Sequence, residues 1–187
     1  MKICARPRAN QYSPTRYVAE LHRDMERRRL VSDQIRQIEK ARLERMEQAP
    51  GDGPHAMVRL IARVIGVGIE TADMLVHEVL SRKLRDRRAV ARYAGLTGAP
   101  DESGSKRREK GLAKAGNARA RSGMIQLAWR FLLFQKDSAL AQWYRTRTEG
   151  GRNRKTIIVA LARKLLIALW RLVTTGEVPA GVVLRAV

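Results

Sequence analysis

The run "KTIIVALARKLLIALWRLVTTG", starting at Lys155 and closed by Gly176, constrains the fold more than any other part of the chain. It has helical periodicity and is apolar on most of its circumference, so it needs covering on nearly every side and predicts the central core helix. Strand signals are almost absent elsewhere, so the elements that cover it are helices too. The expected class is all-α.

The first part of the chain has the opposite character. From Tyr17 to Gln48 there is neither Gly nor Pro, and Leu21, Met25, Val31, Ile35, Ile38 and Met46 recur at about 3.5-residue spacing among Arg and Glu. This predicts one long helical arm over residues 1–50. Arg28 and Ser32 interrupt its thin apolar stripe, so the arm forms no core alone. It is either an exposed helix spanning two bodies or a surface on which a second copy of the chain packs. "PGDGP" then breaks the chain and sets a linker at 51–54.

A compact helical domain follows. Over 55–94, "MVRLIARVIG" and "ETADMLVHEVLSRKL" predict two helices joined at a "GVG" turn, and "DRRAVARYAGL" predicts a third, with Asp86 as N-cap and Gly95 as its stop. Residues 95–123 are expected to hold a basic, serine-bearing loop, and 124–187 a helical core and tail. Trp129, Phe131, Phe134 and Trp170 are expected in that core.

With 38 Lys plus Arg against 18 Asp plus Glu, the formal charge is +20, and nucleic acid is the default partner. No apolar run approaches the roughly 20 residues that span a bilayer, and the N-terminus has no apolar signal core, so no membrane association and an intracellular protein are expected. Cys4 is the single cysteine, and His22, His55 and His77 are scattered. Neither a disulfide framework nor a Cys/His metal site can be assembled, and no metal ligand is assigned.

Three stretches carry candidate chemistry. Gly66, Val67 and Gly68 lie between two helices, so a dinucleotide-binding turn is excluded, because that motif follows a strand. A plain turn and a helix-hairpin-helix remain. The second would offer bare N–H groups to a phosphate, and the cations from Arg82 to Arg92 favour it. In "DESGSKRREKG", Ser103 precedes Lys106, Arg107, Arg108 and Lys110, with Lys114 and Asn117 beyond. A hydroxyl among cations has the ingredients for attack on phosphorus, though such loops are common without that chemistry. In "RTRTEGGRNRK", Arg152, Arg154 and Lys155 flank a glycine turn at a helix start, which suits a phosphate backbone or an ordinary solvated loop.

Together "VIGVGIETADML", "YAGLTGAPDESGSKRREKGLAKAGNARARSGMIQLAW" and "KTIIVALARKLLIALWRLV" resemble, in order and spacing, the C-terminal transposase domain of the insertion-sequence one-hundred-and-ten family, also called the one-hundred-and-sixteen and nine-hundred-and-two family. These are DEDD-type, bridge-RNA-guided serine DNA recombinases. The matching elements are Gly66 to Gly68; Gly95, Leu96 and Thr97; Ser103 and Gly104; Lys114, Gly116 and Asn117; and Ala162 to Leu166. The resemblance implies that Ser103 forms a phosphoserine link to DNA, with DNA and a bridge RNA as partners, a homo-oligomer, and a prokaryotic cytoplasmic or nucleoid location. It also implies an acidic domain holding divalent metal such as Mg, which residues 1–50 do not supply, so no cofactor is expected in this chain. Glu102 departs from the family pattern, because an acid beside the nucleophile repels phosphate unless an arginine or metal neutralises it. The alternative from another class is a noncatalytic helical module binding structured DNA or RNA through the glycine hairpin and basic loops.

Overall fold

A computed structural model describes residues 14–48, 51–103, 106–113, 115–151 and 153–186, with the backbone alone at 14–16, 99–103 and 106–111. The fold is all-α. The described helices are α1 (Pro14–Gln48), α2 (Gly53–Ala62), α3 (Ile69–Leu75), α4 (Arg87–Tyr93), α5 (Ala118–Phe134), α6 (Ala139–Glu149) and α7 (Arg154–Thr175). α3 runs on into a π-helical turn at Val76–Leu80. The chain divides into two compact units, 1–48 and 49–187.

In the first unit, α1 is a single helix of 35 residues. Its surface carries local ion pairs, Arg27 to Asp24 at 3.2 Å and Arg36 to Asp33 at 3.1 Å. Each is solvated and adds at most a few tenths of a kcal/mol. Leu21, Val31, Ile35 and Ile38 are exposed.

In the second unit, α7 is the core helix that its composition predicts. Ile158, Leu161, Ala162, Leu165, Leu166, Leu169 and Leu172 are buried, under α2, α4, α5 and α6. Gly176, in the left-handed conformation at φ 73°, stops it, and its N–H donates to the Leu172 carbonyl. α2 begins at Gly53 with Pro54 in its first turn, where a proline's missing N–H costs nothing.

α5 divides its aromatic residues. Phe131 is buried with Ala120, Met124, Leu127 and Ala128, whereas Trp129 is 45% and Phe134 57% exposed. The expectation that all three are core therefore holds for Phe131 alone. Helical geometry puts 124, 127, 128 and 131 on one face and turns 129 and 133 away from it, while Phe134 lies on the flank of that face at the last residue of the helix. Trp170 is only partly buried.

Gln135, just past α5, is a buried polar anchor. Its Nε2 donates to the carbonyls of Ile65 (2.8 Å) and Val183 (3.0 Å), and its Oε1 accepts from the Val183 N–H (2.9 Å). One amide thus ties the α2–α3 turn to the C-terminal tail, next to a Val64–Leu184 bridge. Gln135→Leu leaves the Ile65 carbonyl and the Val183 N–H unpaired, and urea denaturation should show a loss of about 2–4 kcal/mol with unchanged m-value.

Candidate nucleic-acid interface

The stretch expected to be a polar loop contains an antiparallel hairpin, β1 (Gly98–Ser103) and β2 (Lys106–Leu112). Neither strand has β-branched or aromatic residues, so local sequence gives little sign of it. Its formation traces instead to how its ends are held.

Gly95 and Gly116 meet backbone to backbone below the hairpin. Both are left-handed, at φ 66° and 89°. A Cβ on Gly116 would stand 2.6 Å from the Gly95 nitrogen and 2.7 Å from the Tyr93 oxygen; one on Gly95 would stand 2.5 Å from the Ala115 oxygen. Only glycine allows this approach. Around it the Ala113 N–H donates to the Thr97 carbonyl (2.9 Å) and the Asn117 N–H to the Tyr93 carbonyl (2.8 Å). These bonds continue the strand ladder down to the end of α4 and the start of α5.

Both flanking helices are capped at their N-termini. Asp86 Oδ1 accepts from the Arg88 and Ala89 N–H groups, each at 2.8 Å, and starts α4 as predicted. The Ala89 bond is the main cause holding the Asp86 carboxyl below its ordinary value, followed by the Arg88 bond and Arg85 and opposed by desolvation. Asn117 Oδ1 accepts from the Ala120 N–H (3.0 Å), while its Nδ2 donates to Glu78 at 2.7 Å. Glu78 also accepts from Arg119 at 3.2 Å. Asn117, a sequence candidate for phosphate contact, has its side chain engaged as a structural pin.

The register pairs Ser103 with Lys106, Glu102 with Arg107, Asp101 with Arg108 and Ala99 with Lys110, after an irregularity between Gly98 and Ala99. Since strand positions alternate, Asp101, Ser103, Lys106, Arg108 and Lys110 hold positions on one face of the ribbon, and Glu102, Arg107 and Glu109 on the other. Five strand steps carry Ser103 roughly 17 Å from Gly98. Gly104, Ser105 and Lys114 lie outside the described residues, as does Arg152.

The remaining candidates sit on other elements. Val67 is fully buried and its N–H donates to the Val64 carbonyl (2.9 Å). Gly66 (φ 95°) is covered by Phe134, whose Cβ would stand 3.1 Å from an added Cβ. These two serve the turn's own packing. Gly68 is half-buried at the start of α3, and the space where its Cβ would be lies 3.8 Å from Arg130 Nη1. Arg154 and Lys155 are exposed at the start of α7, where Asn153 caps the Lys155 N–H at 2.9 Å. Sequence reading passed over Arg163, Lys164 and Arg171, because α7 reads as core. Their signal was the placement of cations within an otherwise apolar helix.

Among the described residues no group of three or more His, Cys, Asp or Glu side chains could hold a metal ion, and no helix is long and apolar enough to cross a membrane.

Gly116→Ala should cost about 1–3 kcal/mol from its backbone conformation alone, and hydrogen exchange should speed up at the Ala113 and Asn117 amides. For Asp86, a depressed pKa means stabilisation that is present above the ordinary carboxylate pKa and lost as pH falls through the depressed one. Native protein and Asp86→Ala should therefore differ in Tm at pH 7 and converge in acid.

Residues 58–145 match the model of the transposase IS116/IS110/IS902 family. The chain is 40% identical over 182 residues to a protein named "Putative transposase y4rJ" from Sinorhizobium fredii (strain NBRC 101917 / NGR234). The match covers 92% of this chain and 46% of that protein, so the chain spans about half the length of this curated relative. The matched segment runs from α2 to α6 and includes the hairpin with both glycines at its base. Over residues 58–145 the chain is thus similar to the IS116/IS110/IS902 transposase family.

Proposed function

We propose that the chain is the serine-bearing domain of a DNA transposase that recombines strands through Ser103. The observation that carries this reading is the convergence of Gly95, Thr97, Gly116 and Asn117 at the base of the hairpin that bears Ser103. Separated in sequence, these elements hold one ribbon.

In the proposed step Ser103 Oγ attacks phosphorus, forming an O–P bond while the bond to one strand's oxygen breaks. The serine proton leaves to a base and the departing oxygen takes up a proton. The phosphoserine keeps the ester linkage, so a strand hydroxyl can reverse the step and rejoin DNA without an external energy source. Lys106, Arg108 and Lys110, at register positions on the face of Ser103, are the groups proposed to stabilise the added charge. Arg107 stands opposite Glu102 in register, which supports neutralisation of the acid that departs from the family pattern.

Divalent metal would be held by the acidic domain that the resemblance implies; it would supply further charge stabilisation at the phosphate. Bridge RNA as guide belongs to the same proposal, as does assembly of copies through the exposed apolar stripe of α1. Gly68 beside Arg130, and Arg154 with Lys155, are proposed as DNA or RNA backbone contacts. The helix-hairpin-helix reading rests on Gly68 more than on Gly66 or Val67.

The test is covalent trapping. With the acidic domain, Mg and guide RNA supplied, labelled target DNA should form a denaturation-resistant adduct with the native chain and none with Ser103→Ala, which should retain DNA binding. An adduct that persists in Ser103→Ala would remove the serine from its role.

A further inference from the structure

The side of α7 that is not buried lines a long basic groove. Arg163, Lys164, Ile167 and Arg171 form one wall, with Arg87 and Arg88 at the start of α4 contributing another, around a space of about 730 Å³. Ala139 and Leu140 of α6 add apolar surface. Toward the start of α7 the groove passes Ala160 into a second hollow of about 330 Å³, lined by Trp143, Arg147 and Thr156. Lys164, which borders the first space, places its Nζ 4.8 Å from the Trp143 ring centre, and Arg147 lies 5.8 Å from the same ring. The two spaces thus adjoin, sharing Ala160 and meeting where Lys164 lies over Trp143.

The charge along this groove is unbalanced. Among the described residues, Glu177 is the one acid bordering the larger space, and it meets Arg171 at 3.9 Å. Among the same residues, Arg87, Arg88, Arg163 and Lys164 have no acidic partner. Some cations elsewhere are engaged: Arg119 with Glu78, Arg85 with Asp86, and Arg82 over the Tyr93 ring. Like charges gathered in a concavity with apolar walls repel one another and focus a positive field that a polyanion relieves.

We infer that this groove binds a single nucleic-acid strand, with phosphates along Arg87, Arg88, Arg163 and Lys164 and a base against Trp143. From Asn153 to Arg171 the helix runs about 27 Å, long enough for several successive phosphates, whereas a small anion would occupy one end. A cationic track interrupted by an aromatic ring is the arrangement that tracks a backbone and stacks bases without reading sequence. The strand is DNA displaced during exchange or an unpaired segment of RNA; both present the same phosphodiester. The site uses neither Ser103 nor the hairpin cations, and so stands apart from the proposed chemistry.

The experiment measures fluorescence anisotropy of labelled oligonucleotides with the 187-residue chain across a salt series. Single-stranded DNA, single-stranded RNA and duplex DNA are compared in native protein, an Arg87→Gln/Arg88→Gln variant, Lys164→Gln and Trp143→Leu, all checked by circular dichroism. The double variant should bind single strands roughly tenfold more weakly, with a salt slope shallower by about 1.4, corresponding to about 0.7 for each phosphate no longer neutralised. Lys164→Gln should show half that change in slope, and Trp143→Leu should bind more weakly with the slope unchanged. A larger loss for RNA or for DNA identifies the strand. Native affinity and slope for single strands in the folded charge variants would overturn the inference, as would a loss confined to the duplex.

Discussion

The residues buried on α7 dictate where the rest of the second unit goes. Ile158, Leu161, Leu165, Leu166, Leu169 and Leu172 are withdrawn from water together, and α2, α4, α5 and α6 do the covering. At roughly 1.5–3 kcal/mol for each large side chain fully buried, this is the dominant favourable term in the unit. Because the apolar surface does not close the whole circumference, a strip of α7 stays open. On that strip Arg163, Lys164 and Arg171 stand beside the two arginines that open α4. The basic groove is thus a by-product of the same packing.

A second constraint acts on a smaller scale. The backbones of Gly95 and Gly116 approach so closely that neither tolerates a Cβ, and their contact joins two segments that the intervening hairpin separates in sequence. With the ends closed, antiparallel pairing of β1 and β2 needs no strong strand propensity, since much of the loop-closure entropy has been met at the base. The Asn117 cap, and the Glu78 carboxylate that receives Asn117 and Arg119, anchor this base to helices. The resulting ribbon places Ser103 at the far end of β1 from the root at Gly98.

Much of the helical organisation was legible because it follows from local rules. The Gly- and Pro-free arm, the near-continuous apolar content of α7, the cap at Asp86 and the stop at Gly95 each leave a periodic or single-residue mark. The aromatic residues of α5 were misjudged for a definite reason. The run around "MIQLAWRFLLF" is apolar on two faces, and composition alone does not say which one meets α7. Gly66 illustrates a different limit. Its sequence setting suits a phosphate turn, yet Phe134, far away in sequence, packs against it. Asn117 likewise carries a polar amide that could face a ligand, until Glu78 is found opposite.

The sequence by itself determined an all-α protein of high positive charge, with one exposed-looking arm, one core helix and a serine surrounded by cations, because periodicity, composition and caps act within a few residues of themselves. Only the tertiary structure decided that two distant glycines close a hairpin beneath Ser103, that Glu102 stands in register with Arg107, and that cations on α4 and α7 line one groove. Those relations join residues far apart along the chain, and the packing that brings them together depends on long-range contacts that no local pattern encodes.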